Sequence, residues 1–437
     1  MKSPHWLLHF LPIAILVFFE FFFQFPTYLC LALTSFVLVA FQISKSRKIL
    51  SIFLNSLFEI RETLFLLASL GILLGLWYKT KTILILLHLL QTYLQIPNLL
   101  VTAFLFSSFL SLWSGSSWST AATLGVVFLE LGKSQGYPLE WVSGAIISGA
   151  YVGDKLSPFS DTTNLASSSA GVNLYDHIQN MLPLTAISFL ISGVFYYGFD
   201  VVMATFSISP VSLAHAPNVN HFASEENYFY LASPIFILAS IFLRRSPYKT
   251  MLLGAVITTV VDIASRGFHS EIVMAAYSFE RGGFLAVYPT ILLIVFAMLL
   301  GASWEGVGLK AFFHRVMAVN MKTPKQLQVS VIFFSVSINL STADQYLSIF
   351  LSGKLFKKLF AKFQIPSLRL SRLLEDFGTL TSALIPWNSC GMFLSTALGV
   401  MTTSYAPFCF FLIFNFLISL ISIFFLPFSK KESQSRT

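Results

Sequence analysis

Apolar residues in this chain run in long unbroken stretches, not in the one-in-two alternation of a half-buried strand. The runs fall at 6–25, 27–43, 63–77, 82–112 (long enough for two passes), 117–131, 141–152, 181–199, 228–243, 250–264, 284–302, 328–351, 379–401 and 405–428. A bilayer core about 30 Å thick needs about 20 mostly apolar residues per spanning helix, so the pattern predicts about 11–13 helical segments, several too short to cross alone. Continuous apolarity excludes an outer-membrane barrel, whose strands alternate. The expected fold is all-α: a polytopic transmembrane helical bundle. The run at 6–25 holds Glu20 and lacks a small-residue cleavage site, so it reads as a retained span and not a signal peptide.

Basic residues cluster between the runs, at Lys45, Arg47 and Lys48; Arg244, Arg245 and Lys249; 310–325; 354–372; and Lys430, Lys431 and Arg436. The positive-inside rule puts such clusters in the cytoplasm, and with two spans before Lys45 it puts both termini there. The chain divides into N-terminal helices at 1–62, a first repeat at 63–206, a polar connecting loop at 207–227, a second repeat at 228–428 and a basic tail at 429–437.

Composition agrees. Of 437 residues, 56% are hydrophobic and 11% charged, with a mean hydropathy of +0.77. Soluble domains carry about 25% charged residues, so a soluble enzyme is excluded. Most of the net charge of +8 sits in short runs at the ends of apolar stretches, where the positive-inside rule places it, and does not imply nucleic acid. Cys30, Cys390 and Cys409 make no disulfide framework. No Gly-rich phosphate loop or metal-ligand spacing is present, so no cofactor is expected.

Polar residues inside a membrane chain are costly and mark function. Two islands stand out. The first runs from Ser114 to Gly125 and resumes from Gly153 to Asn164; the second runs from Ser341 to Gln345 and resumes from Glu375 to Ser382 and Pro386 to Gly391. The identical tripeptides Ser119-Thr120-Ala121 and Ser341-Thr342-Ala343 suggest superposing the islands at an offset of 222 residues. That register sets Asp154 on Asp376, Ser157 on Thr379 and, after a two-residue insertion, Asn164 on Asn388. Paired, broken polar segments are the sequence sign of a secondary transporter with repeats. An odd number of spans between the repeats would make them inverted.

Pro158 lacks an amide hydrogen, and the neighbouring Ser, Thr, Asp and Asn side chains compete for backbone hydrogen bonds, so a broken helix is expected here. Its hydroxyl, amide, carbonyl and carboxylate oxygens are hard ligands suited to a small hard cation; soft sulfur is scarce and histidine absent from the islands. A carboxylate here can also carry a proton, and competition at one carboxylate would couple the two ions. The candidate ion-binding residues are Ser117, Thr120, Asp154, Ser157, Asp161, Thr162, Thr163, Asn164, Asp376, Thr379, Thr381 and Asn388, with Asp154, Asp161, Asn164 and Asn388 as direct cation ligands. Asp161 leads, set deeper in the polar cluster than Asp154. The plainer readings are a surface pair of Asp154 with Lys155, a surface pair of Asp376 with Arg372, a helix cap at Asp344, packing for Trp118 and Trp387, and misjudged span ends at Glu20, Asp262 and Glu305.

At Gly115-Ser116-Ser117-Trp118, Gly153 to Ala166, Thr342 to Tyr346 and Leu374 to Gly391, the sequence resembles the NhaC family of sodium/proton antiporters within the larger ion-transporter superfamily. It departs from that pattern at Ser119, Phe159, Phe377 and Ala383. The resemblance implies exchange of sodium for protons across a bacterial inner membrane, with sodium ion, protons and lipid as partners, and leaves a homodimer open. It also takes in exchangers that couple these ions to small organic anions such as malate and lactate, for which Lys155 would supply a cation. Catalysis has weak support: Tyr151-Val152-Gly153-Asp154 matches only part of an intramembrane aspartyl protease pattern.

Overall fold

The computed structural model describes residues 27–40, 46–59, 61–93, 98–205, 228–243, 245–278, 283–307 and 323–425. The run at 6–25 with Glu20, the connecting loop at 207–227, the tail at 429–437 and the orientation of the termini lie outside them. Every regular element among the described residues is helical. Four helices come first: α1 (Thr27–Ala40), α2 (Ser46–Glu59), α3 (Arg61–Lys79) and α4 (Thr82–Tyr93). A first set follows: α5 (Leu99–Ser114), α6 (Ser117–Thr120), a π-helical turn (Ala121–Gly125), α7 (Val126–Ser134), α8 (Leu139–Leu156), α9 (Asp161–Ala170) and the long α10 (Leu174–Thr205). The middle of the chain forms α11 (Ala232–Phe242), α12 (Pro247–Arg266), α13 (Ser270–Tyr277) and α14 (Phe284–Val307). The second set is α15 (Pro324–Thr342), α16 (Gln345–Lys362), α17 (Ser367–Leu374) with a π turn (Glu375–Thr379), α18 (Ser389–Leu398), α19 (Thr402–Tyr405) and α20 (Phe410–Phe425).

By length and apolarity, three described helices can cross a membrane unaided: Leu174–Thr205, Tyr248–Arg266 and Phe284–Ser303. A fourth candidate, Thr402–Phe408 with Phe410–Phe425, bends by 61°. Several of the other apolar runs are divided. The run expected at 328–351 breaks at Ala343 and Asp344, and that at 379–401 breaks before Asn388. The run at 82–112 is two helices, α4 and α5. Four helices escaped the apolar pattern: α2, which begins at the basic cluster read as a loop, α9, α13 and α17. The expected domain boundary at 62/63 falls inside α3.

The backbone repeats itself at a fixed spacing. Gly115 (φ 70°) and Ala343 (φ 57°) both turn left-handed at the end of a helix, and Ser116 and Asp344 follow as extended N-caps. Pro138 and Pro366 both open a helix with φ near −57° (−58° and −56°). Ser160 and Asn388 are extended N-caps, and Gly171 and Gly399 are left-handed ends. Each pair is 228 residues apart, as from 115 to 343. The offset of 222 read from the tripeptide is therefore corrected: Ser119–Ala121 lie after their break, whereas Ser341 and Thr342 lie before theirs. At 228, Asp154 corresponds to Ser382 and not to Asp376.

Small residues let these helices close on each other. A Cβ on Gly149 of α8 would sit 2.2 Å from the Phe104 carbonyl oxygen of α5, and one on Gly153 would sit 2.3 Å from Ser108 O. Tyr196 Oη of α10 bonds Gly144 O at 2.9 Å, Ser148 Oγ at 2.7 Å and Phe408 O at 2.8 Å, binding α8 and α10 to the second set. The start of α5 is capped from a distance: Leu100 and Val101 amides donate to the two Asp200 oxygens, both at 3.1 Å. Gly149→Ala should lower the melting temperature in detergent, since overpacking costs about 1–3 kcal/mol. Gly198→Ala, with nothing within 4 Å of the added Cβ, should not; equal melting temperatures would contradict this packing.

Candidate ion-binding site

The chain breaks meet in pairs. Gly115 needs its missing side chain, because a Cβ there would lie 2.6 Å from the Phe159 carbonyl carbon; the α5–α6 break thus abuts the α8–α9 break. In the second set Ser389 N–H donates to Ala343 O at 2.9 Å, joining the α15–α16 break to that before α18. The sets then cross: Trp118 stacks on Phe393 at 4.5 Å, and Tyr346 Oη of α16 donates to Asp161 Oδ2 at 2.7 Å.

Asp154 lies buried in the last turn of α8. Ser117 Oγ donates to its Oδ2 at 2.6 Å, while Oδ1 has no hydrogen-bond partner among the described residues. Asp161, the leading sequence candidate, opens α9 and is exposed. The break 157–160 separates it from buried Asp154, with which it interacts electrostatically. The order of depth is the reverse of that expected: helix ends and not hydropathy decide it.

The remaining candidates separate into contacts and staples. Ser157 Oγ accepts from Phe159 N–H at 3.3 Å, and Thr163 Oγ1 donates to the Asp154 and Lys155 carbonyls, both at 3.3 Å. Asn164 Nδ2 bonds the Pro158 and Ser160 carbonyls at 3.0 and 2.7 Å, holding the break rather than facing Asp154. Thr120 Oγ1 is used on Ser116 O at 3.0 Å. Asn388 caps α18 through Cys390 N–H at 3.1 Å and donates to Asn339 O at 3.3 Å. Asn339 in turn donates to Thr381 Oγ1 at 2.9 Å. Thr162 Oγ1 reaches Glu375 Oε1 at 3.2 Å, and Thr379 Oγ1 is buried with no full hydrogen bond among the described residues. Asp344 caps α16, accepting from Leu347 N–H at 2.8 Å.

Asp154 does not pair with Lys155, and the pair of Asp376 with Arg372 lies in the interior and not at a surface. Lys155 is 1% exposed and bonds Asp376 of the second set, with Asn415 Oδ1 at 3.3 Å. Asp376 also accepts from Asn415 Nδ2 at 2.8 Å and Ser419 Oγ at 2.6 Å, with Arg372 Nε at 4.0 Å. All of these groups are buried, so Asp376 is a neutralised interior charge. His177, set aside as scattered, is buried nearby: its Nδ1 shares a 2.9 Å hydrogen bond with Ser371 Oγ. Asp262, taken for a misjudged span end, is buried in α12, with Tyr230 Oη at 2.7 Å and His269 Nε2 at 3.2 Å.

Among the described residues no three His, Cys, Asp or Glu side chains gather as a metal site. What the arrangement offers is one or two carboxylates with hydroxyl and carbonyl oxygens, suited to a weakly held hard cation in transit.

Broken helices that meet around buried, partly unsatisfied carboxylates define a secondary membrane transporter. The chain belongs to the Na+/H+ antiporter family, whose sequence signature matches residues 13–201 and 149–426. It is 31% identical over 376 residues to the Na(+)/H(+) antiporter NhaC of Bacillus subtilis, covering 82% of this chain and 83% of that one. It is 30% identical over 368 residues to NhaC of Alkalihalophilus pseudofirmus, covering 80% and 79%. It is 26% identical over 369 residues to the Malate-2H(+)/Na(+)-lactate antiporter of Bacillus subtilis, covering 79% and 77%. These relatives are transporters and not enzymes.

A buried ion pair that loses one partner strands the other charge, at about 3–5 kcal/mol. Lys155→Met should therefore cut the folded yield and melting temperature sharply, and Asp376→Asn added to it should restore much of both. A double variant as unstable as Lys155→Met would remove the pairing from the account.

Proposed function

We propose that this protein exchanges sodium for protons across the bacterial inner membrane, with Asp154 as the carboxylate for which the two ions compete. The observation that carries this reading is the unpartnered, buried Asp154 Oδ1 at the end of α8, beside the paired breaks. A bare carboxylate oxygen in so dry a place is costly unless a proton or a cation occupies it. Ser117 Oγ on the other oxygen fixes its aim. Asp161 serves as the outer acid, through which ions reach the break.

The recurring landmarks at 228 residues support a duplicated unit, and hence two related gates around one site. An organic-anion exchanger is the weaker reading. It called on Lys155 as the cation for a substrate carboxylate, and that ammonium is committed to Asp376 and Asn415.

Asp154→Asn should abolish sodium-dependent proton movement in everted vesicles at normal membrane abundance, while Asp161→Asn should slow it. Full activity in Asp154→Asn would remove Asp154 from the mechanism. Because protonation blocks the site, the apparent sodium affinity of the native protein should weaken as pH falls, by up to about tenfold per pH unit for each shared proton. A pH-independent affinity would contradict competition. In liposomes carrying a pH dye, sodium alone should give the response; a response only with malate or lactate would favour the organic-anion reading.

A further inference from the structure

Glu375 has no part in the exchange described above, and sequence reasoning passed over it in favour of its neighbour Asp376. It opens the π turn Glu375–Thr379 and is fully buried, at 0% exposure. Its Oε1 accepts from Thr162 Oγ1 of α9 at 3.2 Å, and its Oε2 has no hydrogen-bond partner among the described residues. Thr379, one turn on and 1% exposed, brings its hydroxyl up to the Glu375 carboxylate, with no hydrogen bond of full geometry at its Oγ1 among the described residues. Asp154, with its own bare oxygen, lies within electrostatic reach across the interface between the two sets.

The charges around Glu375 leave it without a counter-ion of its own. Lys155 is within reach, but its ammonium bonds Asp376 and Asn415. Arg372 lies one turn back, near Asp376 Oδ2 and bonded to Ser422 Oγ. On the far side, Asp161 adds another negative charge toward Asp154. Adjacent residues on a helix point about 100° apart, so Asp376 turns to Lys155 while Glu375 turns to the break. The result is two buried acids from opposite sets beside the Thr379 hydroxyl, with Lys155 and Arg372 both placed at Asp376.

We propose that Glu375 is the second carboxylate of the transport site, so that one sodium ion held between Asp154, Glu375 and Thr379 displaces two protons. This rests on the reading of Asp154 as the exchanging acid and adds its partner and the coupling ratio. With sodium bound, both acids are ionised; with protons bound, both are neutral. The Lys155–Asp376 pair stays neutral throughout. Each cycle then carries two positive charges one way and one the other, and moves one net charge with the protons.

The test uses purified full-length protein in liposomes loaded with sodium, with a membrane potential imposed by a potassium gradient and valinomycin. An interior-negative potential should drive sodium out through the native protein. Glu375→Gln should raise the sodium KM and lose the voltage response, exchanging one proton per sodium; Glu375→Asp should keep the response. Where Glu375→Gln transports too slowly to read, protons released per sodium bound in weakly buffered detergent solution serve instead: two for the native protein, one for the variant. Native exchange that ignores voltage and releases one proton per sodium overturns the proposal, as does a Glu375→Gln variant that retains the voltage response or releases two. These outcomes leave Asp154 as the exchanging acid. Absence of any sodium-dependent proton movement in the native protein would instead defeat the underlying function.

Discussion

A helix broken inside a bilayer exposes amides and carbonyls that lipid cannot satisfy, and each costs several kcal/mol if left bare. That constraint organises the described residues. The four breaks are not scattered: Gly115 sits against Phe159, and Ala343 O receives Ser389 N–H. Side chains of the same segments do the rest. Ser116, Ser160, Asp344 and Asn388 cap the helices that leave the breaks, and Asn164 holds two carbonyls of the 157–160 turn. Once the backbone is accounted for in this way, the few polar atoms still without a full hydrogen bond gain meaning. Asp154 Oδ1, Glu375 Oε2 and Thr379 Oγ1 are among them, and all three lie where the two sets face each other.

The Lys155–Asp376 pair solves a different problem at the same interface. It joins the sets through buried opposite charges and is wrapped by Asn415 and Ser419, so that its desolvation is offset by hydrogen bonds as well as by attraction. It takes the one lysine of the first polar island out of the ion path. An acid without a counter-charge can trade a proton for sodium; an acid locked to lysine cannot do so without breaking the pair. The neighbours Glu375 and Asp376 thus differ in kind, one facing Thr162 and the other Lys155.

Much of this was legible in the sequence. Continuous apolar runs gave the all-helical bundle, and Pro158 among Ser, Thr and Asp residues marked a break where one occurs. The repeat spacing was misread because an identical tripeptide outweighed backbone geometry, and the true landmarks pair unlike residues: Gly115 with Ala343, Ser116 with Asp344, Ser160 with Asn388. The partner of Lys155 lies 221 residues away, beyond the reach of local pattern. Asp161 was ranked above Asp154 because hydropathy does not reveal which side of a helix end is buried. The amphipathic α2 was missed because its polar face hides it from a search for continuous apolarity.

The central claim is that Asp154 is a buried acid that holds either a proton or sodium. A hydrophobic carbodiimide attacks protonated carboxyl groups in apolar surroundings, and peptide mass spectrometry locates the adduct. The account predicts labelling at Asp154 in sodium-free buffer, suppressed by sodium, with Asp376 unlabelled in its pair with Lys155. Labelling of Asp376 in place of Asp154, or an Asp154 adduct indifferent to sodium, would contradict it.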